Sequence, residues 1–234
     1  MRWNAKPGSL KSTAKIIRVD PLHPATDAIA RAAAVVRSGG VVILPTSGLY
    51  GLGADALNPD AVERLFRFKG RDRSKPILVL IASEAMLHQV AGPVDALARS
   101  MMACFWPGRV TFVLPARQGL PQGLTGGTGK IGVRQVAHPV AGALVRALDS
   151  ALTGTSANLS GATGCAVIDD IDPAVVDAVD LILDSGLLRG GPGSTVVDLT
   201  MEKPAILRAG AVPGDEIMAV FEQLQKAGRH ASET

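Results

Sequence analysis

Short apolar runs alternate along this chain with longer stretches in which apolar residues return every three or four positions. The runs at 41–44, 77–81, 110–114, 131–133, 151–153, 181–183, 195–199 and 206–207 are too short for helices and predict buried strands, with an earlier strand at 16–19. Helical spacing predicts helices at about 26–38, 58–69, 94–104, 139–148, 172–178 and 213–226, and a short one capped by Ser83. Asn58-Pro59-Asp60 is a helix start: a capping amide, a proline at the first helical position and an acid in the first turn. Thr26 or Asp27 caps the first helix, which Gly39-Gly40 ends. Strands and helices alternate irregularly, which predicts an α/β (α+β-like) fold with helices on a sheet of mixed strand direction. Residues 1–14 are expected to be a flexible basic arm, 15–225 one domain and 226–234 a frayed tail; the glycine-rich 119–129 stretch reads as a mobile loop.

Composition narrows the function without choosing it. The 234 residues are 47% hydrophobic, enough for a full core, and a net charge of +3 permits an anionic partner such as a nucleotide or RNA. Aromatics are only 3%, so a base-stacking platform of the single-stranded RNA type is disfavoured. Two isolated cysteines and four scattered histidines form no metal-ligand motif, and no metal held by protein ligands is expected. With neither an apolar leader nor an apolar run of about 18 residues, the expectation is a cytoplasmic protein with no membrane partner.

Polar chemistry collects at the ends of the predicted strands. Thr155-Ser156-Ala157-Asn158-Leu159-Ser160-Gly161 packs hydroxyls and an amide into a segment that cannot fill a core, since each buried polar group needs a partner. It reads as a strand edge offering hydrogen bonds to a polar ligand. Ser156 is not read as a nucleophile, because no G-x-S-x-G turn or triad pattern accompanies it. Pro45-Thr46-Ser47-Gly48-Leu49-Tyr50-Gly51-Leu52-Gly53 follows a buried strand and is either a ligand loop or a tight turn. Lys69-Gly70-Arg71 is either a pair of helix-end cations facing water or a phosphate clamp, a point charge beside a planar fork. The 190–195 segment is glycine-rich without being a Walker A loop, and Ser194 with Thr195 could hold a carboxylate or phosphate. Arg134 and Arg208 each close a short apolar run.

In this order, these segments resemble the YrdC/Sua5 family of threonylcarbamoyl-adenylate synthases. The likeness rests on the 45–53 loop, Lys69-Gly70-Arg71, Pro107-Gly108 with Thr111, Val133-Arg134 with His138-Pro139, the 155–161 segment, Ser194-Thr195-Val196-Val197-Asp198 and Leu207-Arg208-Ala209-Gly210, over about residues 16–221. The resemblance implies a twisted mixed sheet with flanking helices around a basic cavity, in the short bacterial form. It implies that L-threonine, bicarbonate and ATP give threonylcarbamoyl-adenylate and pyrophosphate, with Mg²⁺ carried on the ATP phosphates. The product would pass to a tRNA-modifying threonylcarbamoyl transferase complex. By the same resemblance Lys69, Arg71, Thr111, Ser156, Asn158 and Arg208 hold ATP, and Thr46, Tyr50, Arg134 and Ser194 hold threonine and bicarbonate. Two positions depart from the family's Pro-Thr-Asp/Glu-Thr-x-Tyr-Gly-Leu loop: Ser47 replaces the acid and Gly48 the second threonine, removing a charge and a hydroxyl. An RNA-binding protein using the basic cavity without chemistry, and an ATP-dependent carbamoyl transfer to another amine, remain alternatives.

Overall fold

The structure, a computed structural model, describes residues 15–232, with side chains to residue 228; the predicted arm at 1–14 and the last two residues of the predicted tail lie outside them. Ten strands form one sheet: β1 (Lys15–Arg18), β2 (Val42–Pro45), β3 (Tyr50–Gly53), β4 (Leu78–Ile81), β5 (Val110–Pro115), β6 (Lys130–Gln135), β7 (Leu152–Ser156), β8 (Leu181–Asp184), β9 (Thr195–Asp198) and β10 (Ala205–Arg208). Their spatial order is β1-β8-β2-β3-β7-β4-β6-β5-β9-β10. The directions are mixed as predicted: β1–β8, β8–β2, β4–β6 and β5–β9 are parallel, and the remaining neighbours are antiparallel.

Seven α-helices surround the sheet among the described residues: α1 (Thr26–Arg37), α2 (Pro59–Lys69), α3 (Ala96–Phe105), α4 (Gln122–Thr125), α5 (Pro139–Leu148), α6 (Pro173–Ala178) and α7 (Gly214–Ser232). α2 starts where the sequence says, with Asn58 Oδ1 accepting from the Asp60 and Ala61 amides at 3.0 and 3.2 Å and left-handed Gly70 at the far end. α1 departs from expectation, because Thr26 is already helical and Ala25, which has no capping group, precedes it. α1 and α5 pack on each other and on β2 through small and branched residues, Ala28, Ala32, Ala33 and Val36 meeting a buried face that includes Val140 and Leu144. Each large side chain so buried contributes roughly 1.5–3 kcal/mol relative to exposure.

Three expectations are corrected. Tyr50–Gly53 is strand, paired with β2 and, through Gly51 and Leu52, with β7. The glycines make this close pairing possible, since a Cβ at Gly53 would stand 2.8 Å from Leu152 Cδ2 and 2.9 Å from Leu44 Cδ2. The 119–129 stretch is not a free loop either. It contains α4, whose Leu124 is fully buried, and the Gly123 carbonyl accepts from the Ile77 amide at 3.1 Å. At the far end, α7 runs on to Ser232, beyond its predicted stop near Lys226. Among the described residues no helix is long and apolar enough to cross a membrane.

Candidate active site

A cavity of about 670 Å³ opens on one face of the sheet. Its floor follows the two-residue period of strands: Leu78 and Leu80 on β4, Thr111 and Val113 on β5, and Lys130, Gly132 and Arg134 on β6 all face it. Two of the floor positions are glycines. A Cβ at Gly132 would stand 3.2 Å from Leu78 Cβ, and one at Gly154 would stand 2.6 Å from Leu78 Cδ1, so the bare backbone keeps the floor low. The rim comes from the segments around 46–49, 156–164, 190–194 and 207–209.

Positive charge dominates the lining. Arg71, Arg109, Lys130, Arg134 and Arg208 face the cavity, against the single carboxylate of Asp198. Lys130 Nζ donates to Asp198 Oδ2 at 2.8 Å, and Asp198 Oδ1 also accepts from Thr200 N and Oγ1. Burial works to raise the Asp198 pKa but is outweighed by the hydrogen bonds from Lys130 and Thr200, which hold it below the usual range. The four arginines have no carboxylate partner among the described residues.

Arg134 is the most deeply placed. It is 9% exposed and its Nε, buried, has no hydrogen-bond partner. Burial first, then the charges of Arg208 and Arg109, lower its pKa to about 10, so it remains a cation at neutral pH. Arg208 donates from Nη2 to Ser194 O at 2.8 Å and to Ser194 Oγ at 3.3 Å, and Ser194 Oγ lies 2.7 Å from Thr111 Oγ1. Arg71 donates from Nε to Lys75 O and from Nη2 to Pro76 O, which fixes its guanidinium, and the charge of Arg208 acts on it.

Lys69, Ser156 and Asn158 form a closed knot. Lys69 Nζ donates to Ser156 O at 2.6 Å, to Asn158 O at 2.5 Å and to Asn158 Oδ1 at 3.3 Å. Ser156 Oγ donates to Asn158 Oδ1, while Asn158 Nδ2 donates to Ala162 O. Ser156 and Asn158 still line the cavity; Lys69, 2% exposed, stands behind them and does not. The helix-end cation thus holds the Ser-Ala-Asn segment in shape, and neither of the two readings of Lys69 drawn from the sequence anticipates that arrangement.

Thr46 lines the cavity with its hydroxyl proton given to Leu49 O at 2.6 Å. Tyr50 is fully buried and contributes wall rather than a free hydroxyl: its Oη bonds Gly186 O at 2.7 Å and accepts from Ser185 N at 3.0 Å. The structure therefore brings nine of the ten predicted residues to one cavity and sets Lys69 just behind it. Sequence reasoning missed Arg109, Lys130 and the carboxylate of Asp198 as lining groups. The alternation Lys130-Gly132-Arg134 within one strand was the available signal for Lys130; nothing local marks Arg109.

The sequence profile of the Sua5/YciO/YrdC family, described as telomere recombination, matches residues 34–210. The chain belongs to this family. A curated family member, the threonylcarbamoyl-AMP synthase of Pyrococcus abyssi, is 36% identical over 194 residues, covering 83% of this chain and 57% of the relative. The solved structure of P. abyssi Sua5 complexed with L-threonine superposes with a TM-score of 0.83 at 36% identity, over 88% of this chain and 60% of that one. E. coli YciO superposes with a TM-score of 0.78 at 29% identity, over 86% of this chain and 97% of that one. The chain thus spans somewhat over half the length of the P. abyssi protein, and nearly all of YciO.

Proposed function

We propose that this chain is a nucleotidyltransferase that makes threonylcarbamoyl-adenylate and pyrophosphate from L-threonine, bicarbonate and ATP. The observation that carries this reading is the set of carboxylate-free guanidinium groups, Arg71, Arg208 and Arg134, lining one cavity floored by a sheet. A polyphosphate and a carboxylate bound together supply the anions that such a set lacks. The cavity volume suits a nucleotide with a small amino acid. The similarity to threonylcarbamoyl-AMP synthases, and to a relative crystallised with L-threonine, supports the same choice of substrates.

In this reading the threonine amine attacks the carbon of carbon dioxide derived from bicarbonate and loses a proton, giving a carbamate. A carbamate oxygen then attacks the α-phosphorus of ATP. The bond to the β-phosphate bridging oxygen breaks, and pyrophosphate leaves with the electron pair. The chain's contribution is placement and charge neutralisation. Arg71 and Arg208 hold the phosphates; Thr111, Ser156 and Asn158 hold the nucleotide, with Lys69 fixing the last two. Arg134 takes the threonine carboxylate, with Ser194 and Thr46 beside it, and Tyr50 shapes the wall.

Mg²⁺ would ride on the ATP phosphates. Among the described residues no three His, Cys, Asp or Glu side chains cluster as a cage, and Asp198, the carboxylate in the lining, is already engaged by Lys130 and Thr200. These residues do not fit a protein-held metal, and no step here runs through one. We place the activity in the cytoplasm, in a domain at 15–225, with a tRNA-modifying threonylcarbamoyl transferase complex downstream. Pyrophosphate release from ATP by the purified chain, with threonine and bicarbonate omitted in turn, tests the reading. Release that needs both is expected. Release indifferent to threonine overturns it in favour of another amine, for which the altered Ser47-Gly48 pair would be the reason. Salt-sensitive RNA binding with no release would favour a binding protein.

A further inference from the structure

Position 48 has no room for a side chain. A Cβ there would stand 2.7 Å from the Gly190 carbonyl oxygen and 3.2 Å from Arg109 Nη2. The first distance is closer than real Cβ atoms come, and the obstacle is backbone rather than a flexible side-chain tip. The two segments are also tied together, Gly190 N donating to Gly48 O at 2.8 Å. Arg109 enters the same gap from the turn before β5 and donates from Nη2 to Pro192 O at 2.6 Å. The guanidinium therefore sits beside the gap where the family's second threonine would project.

Arg109 has more to give than that one bond. It lines the cavity and has no carboxylate partner among the described residues. One carbonyl satisfies only one of the several N–H donors that a guanidinium carries. Its neighbour inside the cavity is Arg134, on which its charge acts, while Arg208 acts on Arg134 and on Arg71. Arg109 thus shares the cavity with Arg134 and stands against the 46–48 segment, where Thr46 also lines it. Two cations brought together without an anion repel each other, and a planar carboxylate offers one oxygen edge to each fork.

We propose that Arg109 is a second carboxylate-binding cation for the amino-acid substrate, acting with Arg134, and that the missing side chain at Gly48 is what admits its guanidinium. The inference rests on the functional reading above, which assigns threonine to Arg134 and Thr46. A side chain at 48 would press on the guanidinium as well as on the Gly190 carbonyl.

The test is L-threonine binding by titration calorimetry on the full chain, together with separate KM values for threonine and ATP. Arg109→Gln should weaken threonine binding and raise its KM roughly 10–100-fold, the loss expected of a charge-assisted hydrogen bond, with the ATP KM little changed. Arg109→Lys should recover part of the loss. Gly48→Thr should also weaken threonine binding, through the Gly190 carbonyl and the guanidinium together. Arg109→Gln carries the test if Gly48→Thr does not fold. Unchanged threonine binding in Arg109→Gln, or equal rises in both KM values, overturns the assignment. Threonine binding by the unaltered chain without pyrophosphate release would overturn the functional reading alone; no threonine binding at all would overturn both.

Discussion

Lys69 and Arg134 are both buried cations at the same cavity, and their surroundings are opposite. Around Lys69 three oxygens from the 156–158 segment accept its protons, and no side of the ammonium faces the cavity. Arg134 faces the cavity with a buried Nε that nothing in the protein meets. A buried charge without a partner costs stability, so a fold keeps one where a ligand supplies the missing anion. A buried charge with its donors filled is part of the scaffold. The same residue class is therefore tied into the scaffold at Lys69 and left without a protein partner at Arg134.

Replacing Arg134 by Gln is the sharpest way to break this contrast. Pyrophosphate release should fall roughly 100–1,000-fold, the scale of a lost charge-stabilising donor. Thermal stability should hold or rise, because an unpaired cation has been removed. A clear drop in Tm would mean that Arg134 has a structural partner after all. The mirror experiment is Lys69→Met. Leaving its oxygens unmet should destabilise the fold by about 2–3 kcal/mol in urea titration. Full stability with lost activity would move Lys69 from scaffold to ligand binding.

A pH series separates the two cations again. Burial first, and then the Arg71 charge, lower the Lys69 pKa from 10.5 to about 8, whereas Arg134 stays charged until about 10. Between about 8 and 10.5 the unfolded chain keeps the Lys69 proton that the folded chain has released. The unfolded state then binds more protons, so this group's contribution to stability rises with pH across that window. Activity should fall as pH passes about 8, because the neutral amine has one donor fewer to hold Ser156 and Asn158. Urea titrations of the unaltered chain and Lys69→Met at pH 7 and 9.5 would read the difference; identical slopes would remove Lys69 as the titrating group.

The smallest expected effect is at Tyr50. Its hydroxyl ties β3 to the turn at Ser185 and Gly186 and is engaged there by the protein itself. Tyr50→Phe should cost about 1 kcal/mol of stability and leave both KM values nearly unchanged. A marked rise in threonine KM would return the hydroxyl to the binding site.

Local pattern carried much of this fold. The Asn58-Pro59 start of α2 and most of the strands followed from caps and apolar runs, because both record the local backbone. The failures share a cause. Tyr50–Gly53 looked like a loop because glycine is permissive by itself, and it is strand through its pairing with β2 on one side and β7 on the other. Residues 119–129 looked free because one buried side chain, Leu124, is a weak signal until Phe66 and its neighbours cover that region.

By itself the sequence determined most of the strand and helix segments, that polar residues gather at strand ends, and which ordered motifs mark the family. Only the tertiary structure decided which of those polar groups are satisfied. Lys69 meets the 156–158 segment, Thr111 meets Ser194 and Arg109 meets Pro192, each across scores of intervening residues. Hydrogen bonds and ion pairs act over a few ångströms and depend on direction. Periodicity tells which way a side chain points, but what waits there is set by how distant strands pair.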